Sequence, residues 1–106
     1  MVPESPVPVA SMVEDIVGCK WSVQVLCLIA ERSCRPSALL RHCAGLTSKV
    51  MNERLRKMVG FGILKRTVFG EKPPVEVEYR ITPFGRRFMR IIRAVRSLQQ
   101  DLNKGA

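Results

Sequence analysis

Ser48, Lys49, Asn52, Glu53 and Arg56 are the side chains of this chain whose types and spacing suit them to act together. At 3.6 residues per turn they fall on the outer sides of one helix, while Met51, Leu55 and Met58 share its inner face at i, i+4 and i+7. Their chemistry is hydrogen bonding to polar edges and anions. An amide such as Asn52 suits the donor–acceptor edge of adenine, and a guanidinium such as Arg56 suits guanine or a phosphate. Further cations flank this stretch. Lys65, Arg66 and Lys72 follow it, and Arg35 and Arg41 precede it as candidate clamps on a phosphate backbone. Arg66 is also open to pairing with Glu76 or Glu78.

Bond-making chemistry is poorly served. His42 is the only histidine, so no cluster of histidines is available to hold a metal, no nucleophile–base pairing is evident around it, and it reads as a surface or backbone-contacting residue. The cysteines Cys19, Cys27, Cys34 and Cys43 lack any C-x-x-C pair, and their spacing fits no zinc knuckle or finger. No enzyme activity, metal or cofactor is expected. A reactive thiol needs exposure and cationic neighbours. Cys34, between Ser33 and Arg35, is the first candidate for redox sensing, and Cys19, beside Lys20, is the second. Cys27 and Cys43 are expected to be buried. No residue identifies an effector, whether a small molecule or an oxidant.

Charge sets the class of partner. Eighteen Lys and Arg against nine Asp and Glu leave a net charge of +9 on 106 residues, and Arg supplies twelve of the eighteen. A polyanion is the leading partner for such a surface, and a basic helix followed at once by a hairpin makes double-stranded DNA the reading. The length fits one domain. No apolar run approaches the ~18 residues of a membrane span. The first residues lack the cationic start and apolar run of a secretory signal, so a cytoplasmic location without membrane association is expected.

The elements that must position these side chains follow from the pattern. Pro3, Pro6 and Pro8 make residues 1–10 a flexible arm. Ser11 and Glu14 form a capping-box pattern for a first helix over about 11–18. Trp21 to Ala30 is nearly all apolar and reads as a buried central helix, with Trp21 as a core or dimer anchor. Pro36 opens a third helix to about residue 43, with Leu39, Leu40 and Cys43 inward. Thr47 caps the helix of Ser48 to about Val59, which Gly60 and Gly62 end. Strands over about 63–69 and 75–81 enclose a turn of Gly70, Glu71, Lys72, Pro73 and Pro74. Thr82 and Pro83 open the last helix, about 83–103. Phe84, Phe88, Ile91, Ile92, Val95, Leu98 and Leu102 form its stripe, long enough to bury part of itself against a second chain. The fold class is therefore mainly α with a small β-hairpin: a winged helix-turn-helix, residues 11–106, dimeric through its N- and C-terminal helices.

Several short motifs in this order resemble the HxlR-type winged helix-turn-helix regulators, which are MarR-like in architecture. They are Gly18-x-Lys20-Trp21, Gly45-Leu46-Thr47-Ser48-Lys49, Arg54-Leu55-Arg56 with Gly62-Ile63-Leu64-x-Arg66, and Pro73-Pro74-Val75-Glu76-Val77-Glu78-Tyr79-x-Ile81-Thr82-x-x-Gly85. The resemblance covers about residues 12–100. It implies a bacterial transcription regulator, homodimeric on a near-palindromic operator, with residues 48–59 as recognition helix and 63–81 as wing. Many members carry a cysteine before a proline near the first helix; here Val7 precedes Pro8, so that thiol is absent. A winged-helix module that binds protein or RNA is the other reading of the same residues.

Overall fold

Pro8, not Ser11, sets the start of the first helix in the computed structural model, which describes residues 7–32 and 34–105. Pro8 is extended (φ −61°, ψ 141°), and its carbonyl accepts the amides of Ser11 and Met12 at 3.0 and 3.2 Å. Ser11 therefore lies inside the first turn of α1, Val9–Val17, and the expected capping box does not form. Val9 and Ala10, assigned to an arm by sequence, are helical; residues 1–6 of that arm lie outside the described residues. Met12 and Ile16 bury the inner face.

The apolar run becomes α2, Lys20–Glu31, at the centre of the core through Val25, Leu26 and Ile29. Ser22 is fully buried there, and its hydroxyl finds no hydrogen-bond partner among the described residues. An unpaired buried hydroxyl costs folding free energy, and alanine is the better helix former. Ser22→Ala is expected to raise stability by about 1 kcal/mol, read as a higher urea midpoint at unchanged slope. A lower midpoint would show that the hydroxyl is satisfied.

A third helix, α3 (Pro36–His42), leads through Leu46 into α4, Ser48–Gly60. Thr47 caps α4 as expected, its Oγ1 accepting from Val50 N at 3.2 Å. The far end is a Schellman turn. Ile63 N reaches Met58 O and Gly62 N reaches Val59 O, each at 3.0 Å, with Gly62 at φ +80°. Gly60 stays helical, so Gly62 alone of the two glycines makes the stop.

The chain then forms an antiparallel hairpin, β1 (Leu64–Phe69) with β2 (Glu76–Ile81), in register Leu64↔Ile81 to Phe69↔Glu76. Cys34 adds a one-residue bridge to the free edge of β2: its amide donates to Tyr79 O at 3.0 Å and Tyr79 N donates to its carbonyl at 2.7 Å.

The last helix, α5, runs Pro83–Asn103 with Thr82 as its cap. Thr82 also ties the helix to the Schellman turn. Its amide donates to Ile63 O at 3.0 Å, and its hydroxyl lies 2.5 Å from Gly62 O and 3.0 Å from Ile63 O. The apolar stripe of α5 divides. Phe88, Met89 and Ile92 are buried in the core, whereas Phe84, Ile91, Leu98 and Leu102 are exposed. Met89 belongs to the inner set, though the sequence stripe omitted it. Beyond Ile92 nothing of α5 is buried, and the molecule measures 55 × 38 × 22 Å.

Candidate nucleic-acid interface

Core packing decides which side of α4 faces out. Met51, Leu55 and Met58 are at most 3% exposed, which turns Ser48, Lys49, Asn52, Glu53 and Arg56 to solvent. Asn52 and Arg56, four residues apart, share one side. The same packing draws two other cations inward. Asp15 on α1 binds Arg54 (3.1 Å) and Lys57 (3.3 Å), and so pins α4 to α1. Sequence reading missed this clamp, because no local pattern pairs residues about forty positions apart.

The hairpin separates neighbours that looked equivalent. Alternate side chains of a strand point to opposite faces. Arg66 lies opposite Tyr79, on the face that buries Leu64 and Tyr79 against the helices. Lys65 lies opposite Arg80, on the outer face. Arg66 therefore does not pair with Glu76 or Glu78. Glu78 holds Arg80 at 2.6 Å, and Glu76 holds Arg35 at 2.9 Å across to the segment before α3. Arg35 is thus held in a surface ion pair, while Arg41 on α3 stays exposed. Lys72 is exposed in the hairpin loop, beside exposed Glu71.

The thiols are arranged otherwise than the sequence suggested. Cys34, expected to be the exposed one, is 7% exposed, and its Sγ lies 3.4 Å from Arg32 O and 3.7 Å from Leu28 O. Burial pushes its pKa up, against the smaller downward pull of Arg32. The cause is the proline that follows. Arg35, before Pro36, is held extended at φ −94°, ψ 151°, and the alternation of an extended chain sends Cys34 in and Arg35 out. A thiol so placed is a poor thiolate nucleophile. Cys43 is buried as expected, and burial raises its pKa also. Cys27 is only partly buried, with Arg96 Nη1 3.1 Å from its sulfur. Cys19 is partly buried, 3.2 Å from Arg54 Nη1. Trp21 is half-buried under Lys20 Nζ, 4.9 Å from the ring centroid. His42 is exposed.

This order of five helices and a hairpin is shared with known proteins. The chain is 35% identical over 89 residues to an HTH-type transcriptional regulator, sll1512, of Synechocystis sp., covering 84% of this chain and 65% of that protein. It is 32% identical over 72 residues to the HTH-type regulator YtcD of Bacillus subtilis, covering 68% of this chain and 56% of the relative. The matches thus span somewhat more than half the length of these relatives. Among solved structures, a MarR-family regulator of Enterococcus faecalis V583 superposes with a TM-score of 0.78 at 21% identity, over 97% of this chain and 96% of that one. That likeness carries the fold, a winged helix with a two-stranded hairpin. The HxlR-like helix-turn-helix family matches residues 16–104, nearly the whole chain. The relatives are transcriptional regulators, not enzymes. With motifs, architecture and family match in agreement, the chain belongs to the HxlR-like helix-turn-helix family.

Proposed function

We propose that this protein binds duplex DNA sequence-specifically as a homodimer on a near-palindromic operator and regulates transcription in the cytoplasm. One observation carries the reading. The exposed side of α4 presents Ser48, Lys49, Asn52, Glu53 and Arg56 while the opposite side is locked into the core, beside a hairpin, in a chain of net charge +9. Such a helix enters a major groove with its N-terminal turns toward base edges. Lys72 in the hairpin loop suits the neighbouring backbone or minor groove, and Lys65 and Arg41 add outlying phosphate contacts. Arg35 joins them once it is drawn from Glu76. The exposed Ile91, Leu98 and Leu102 of α5, with Val9 and Val17 of α1, supply the surface for a second copy.

The test is binding to duplexes selected from a random pool, at several salt concentrations. Affinity should fall steeply with salt, with a slope of about 0.9 for each phosphate engaged. Asn52→Ala should flatten the preference at one base pair per half-site by roughly tenfold, the worth of one good base contact. Lys72→Ala should weaken all duplexes alike and reduce the salt slope by about 1. Equal binding to every duplex, or preference for RNA or an acidic protein, would refute the reading.

A further inference from the structure

Two unpaired arginines meet in the corner between α4 and β1. A cleft of about 380 Å³ opens there, lined by Asn52, Arg56, Val59, Arg66 and Tyr79. Two independent features converge on it. Asn52, Arg56 and Val59, at i, i+4 and i+7, bring one side of α4 to the cleft. Arg66 and Tyr79, directly opposed in the hairpin register, bring its inner face.

The cleft therefore holds two guanidiniums and no carboxylate. Every ion pair among the described residues uses some other cation: Arg35, Arg54, Lys57 or Arg80. Arg56 and Arg66 are left unpaired there, while Arg80, opposite Lys65 on the outer face of the hairpin, has its own glutamate. Both arginines are exposed, and two like charges lining one recess favour an anion placed between them. The arrangement is relieved by a single oxyanion between them. Guanidiniums are planar forks suited to bidentate contact with a tetrahedral oxyanion, and the Asn52 amide adds a neutral donor at the rim.

We infer that this cleft seats one backbone phosphodiester of the bound duplex, shared by Arg56 and Arg66. The inference rests on the DNA-binding reading above and deepens it. It takes Arg56 away from base reading and gives it to the backbone, leaving Asn52 as the neighbouring base reader. The phosphate then fixes how deep and at what register Asn52 enters the groove, since backbone contacts position and base contacts specify.

The experiment uses a duplex selected by the full chain, scanned with single methylphosphonates, each of which removes one backbone charge. Arg56→Ala, Arg66→Ala and the double variant are compared with the parent chain, with Arg66→Gln included to keep the shape of the hairpin face. Their folded state is checked by circular dichroism. One position per half-site should cost the parent chain on the order of tenfold in affinity, as for a charge-assisted hydrogen bond. Either single variant should bind the unmodified duplex weaker by a similar factor, should lose its sensitivity at that position, and should keep the base preference. The double variant should be little worse than either single one.

Arg56→Ala that relaxes the preference at one base pair would overturn the inference. So would variants that retain the full methylphosphonate effect, or two substitutions whose losses simply multiply. Inorganic phosphate that fills the cleft at millimolar concentration, with no sensitive backbone position, would assign it to a free anion instead. In each of these results duplex preference survives, which separates them from failure of the DNA-binding reading, where no duplex is preferred at all.

Discussion

Ile91→Glu with Leu98→Glu is expected to yield a folded monomer that no longer holds its operator. The two side chains are 42% and 72% exposed, so glutamate at either position costs the folded protomer little. Phe84, Ile91 and Leu98 recur every seven residues, which lines them up along one side of α5, and Leu102 extends the line. In the proposed dimer, pairing of this seam with its two-fold mate would contribute about 1.5–3 kcal/mol for each apolar side chain fully buried. Four glutamates in the same place would bring unpaired charge into that contact. The dimer dissociation constant should rise by at least about a thousandfold, taking a few kcal/mol as the loss. Operator binding should fall with it, because one protomer reaches one half-site only. Sedimentation equilibrium and operator titration read the two effects separately. A double variant that remains dimeric at the parent concentration would remove α5 from the interface.

Gly85→Ala should be among the most damaging single substitutions in the chain. A Cβ at Gly85 would stand 2.2 Å from Ile63 O and 2.7 Å from Ile81 Cγ1. The first of these is backbone, held in the Schellman turn, and cannot swing aside as a flexible side chain would. Making room means lifting the start of α5 from the hairpin, against the Thr82 amide bond to Ile63 O and the Gly85 amide bond to Thr82 Oγ1 at 2.9 Å. The expected loss is about 3 kcal/mol, at the upper end for overpacking. In a domain of this size that lowers Tm by roughly 12–24 °C. Gly60→Ala is the matched control. It sits in the last turn of α4 with nothing within 4 Å of its added Cβ and no positive φ, so alanine should stabilise by up to about 1 kcal/mol. A Gly85→Ala protein that melts with the parent would show that the two segments separate easily.

How far the sequence could be read depended on how local each determinant was. Thr47, Thr82 and Pro83 act within one turn of where they stand, and the structure puts all three where the pattern did. The Ser11 cap failed for a local reason as well, because Pro8 had already provided the first acceptor. Gly85 was visible as a motif position, but its reason was not, since the obstacle is a carbonyl twenty-two residues earlier in the chain. The exposure of Cys34 was misjudged because a polar connector conceals an extended bridge to Tyr79, a contact that exists only once the hairpin is in place. The α5 stripe is long enough for the sequence to suggest that only part of it packs within the domain, but a helical projection cannot show where the rest of the domain stops. Arg56 and Arg66 were each picked out singly. Their convergence depends on the angle between α4 and β1, which the Gly62 turn sets and no periodicity reveals.

That turn has a mechanical consequence. Met58, Gly62, Ile63, Thr82 and Gly85 knot the end of α4, the root of the hairpin and the head of α5 into a single joint. Asp15 moors the flank of α4 a second time, to α1. With these two anchor points α4 is tied both at its flank and at its far end. A tilt of α5 would therefore pull on the end of α4 through the bonds from Thr82 to the Gly62 and Ile63 carbonyls.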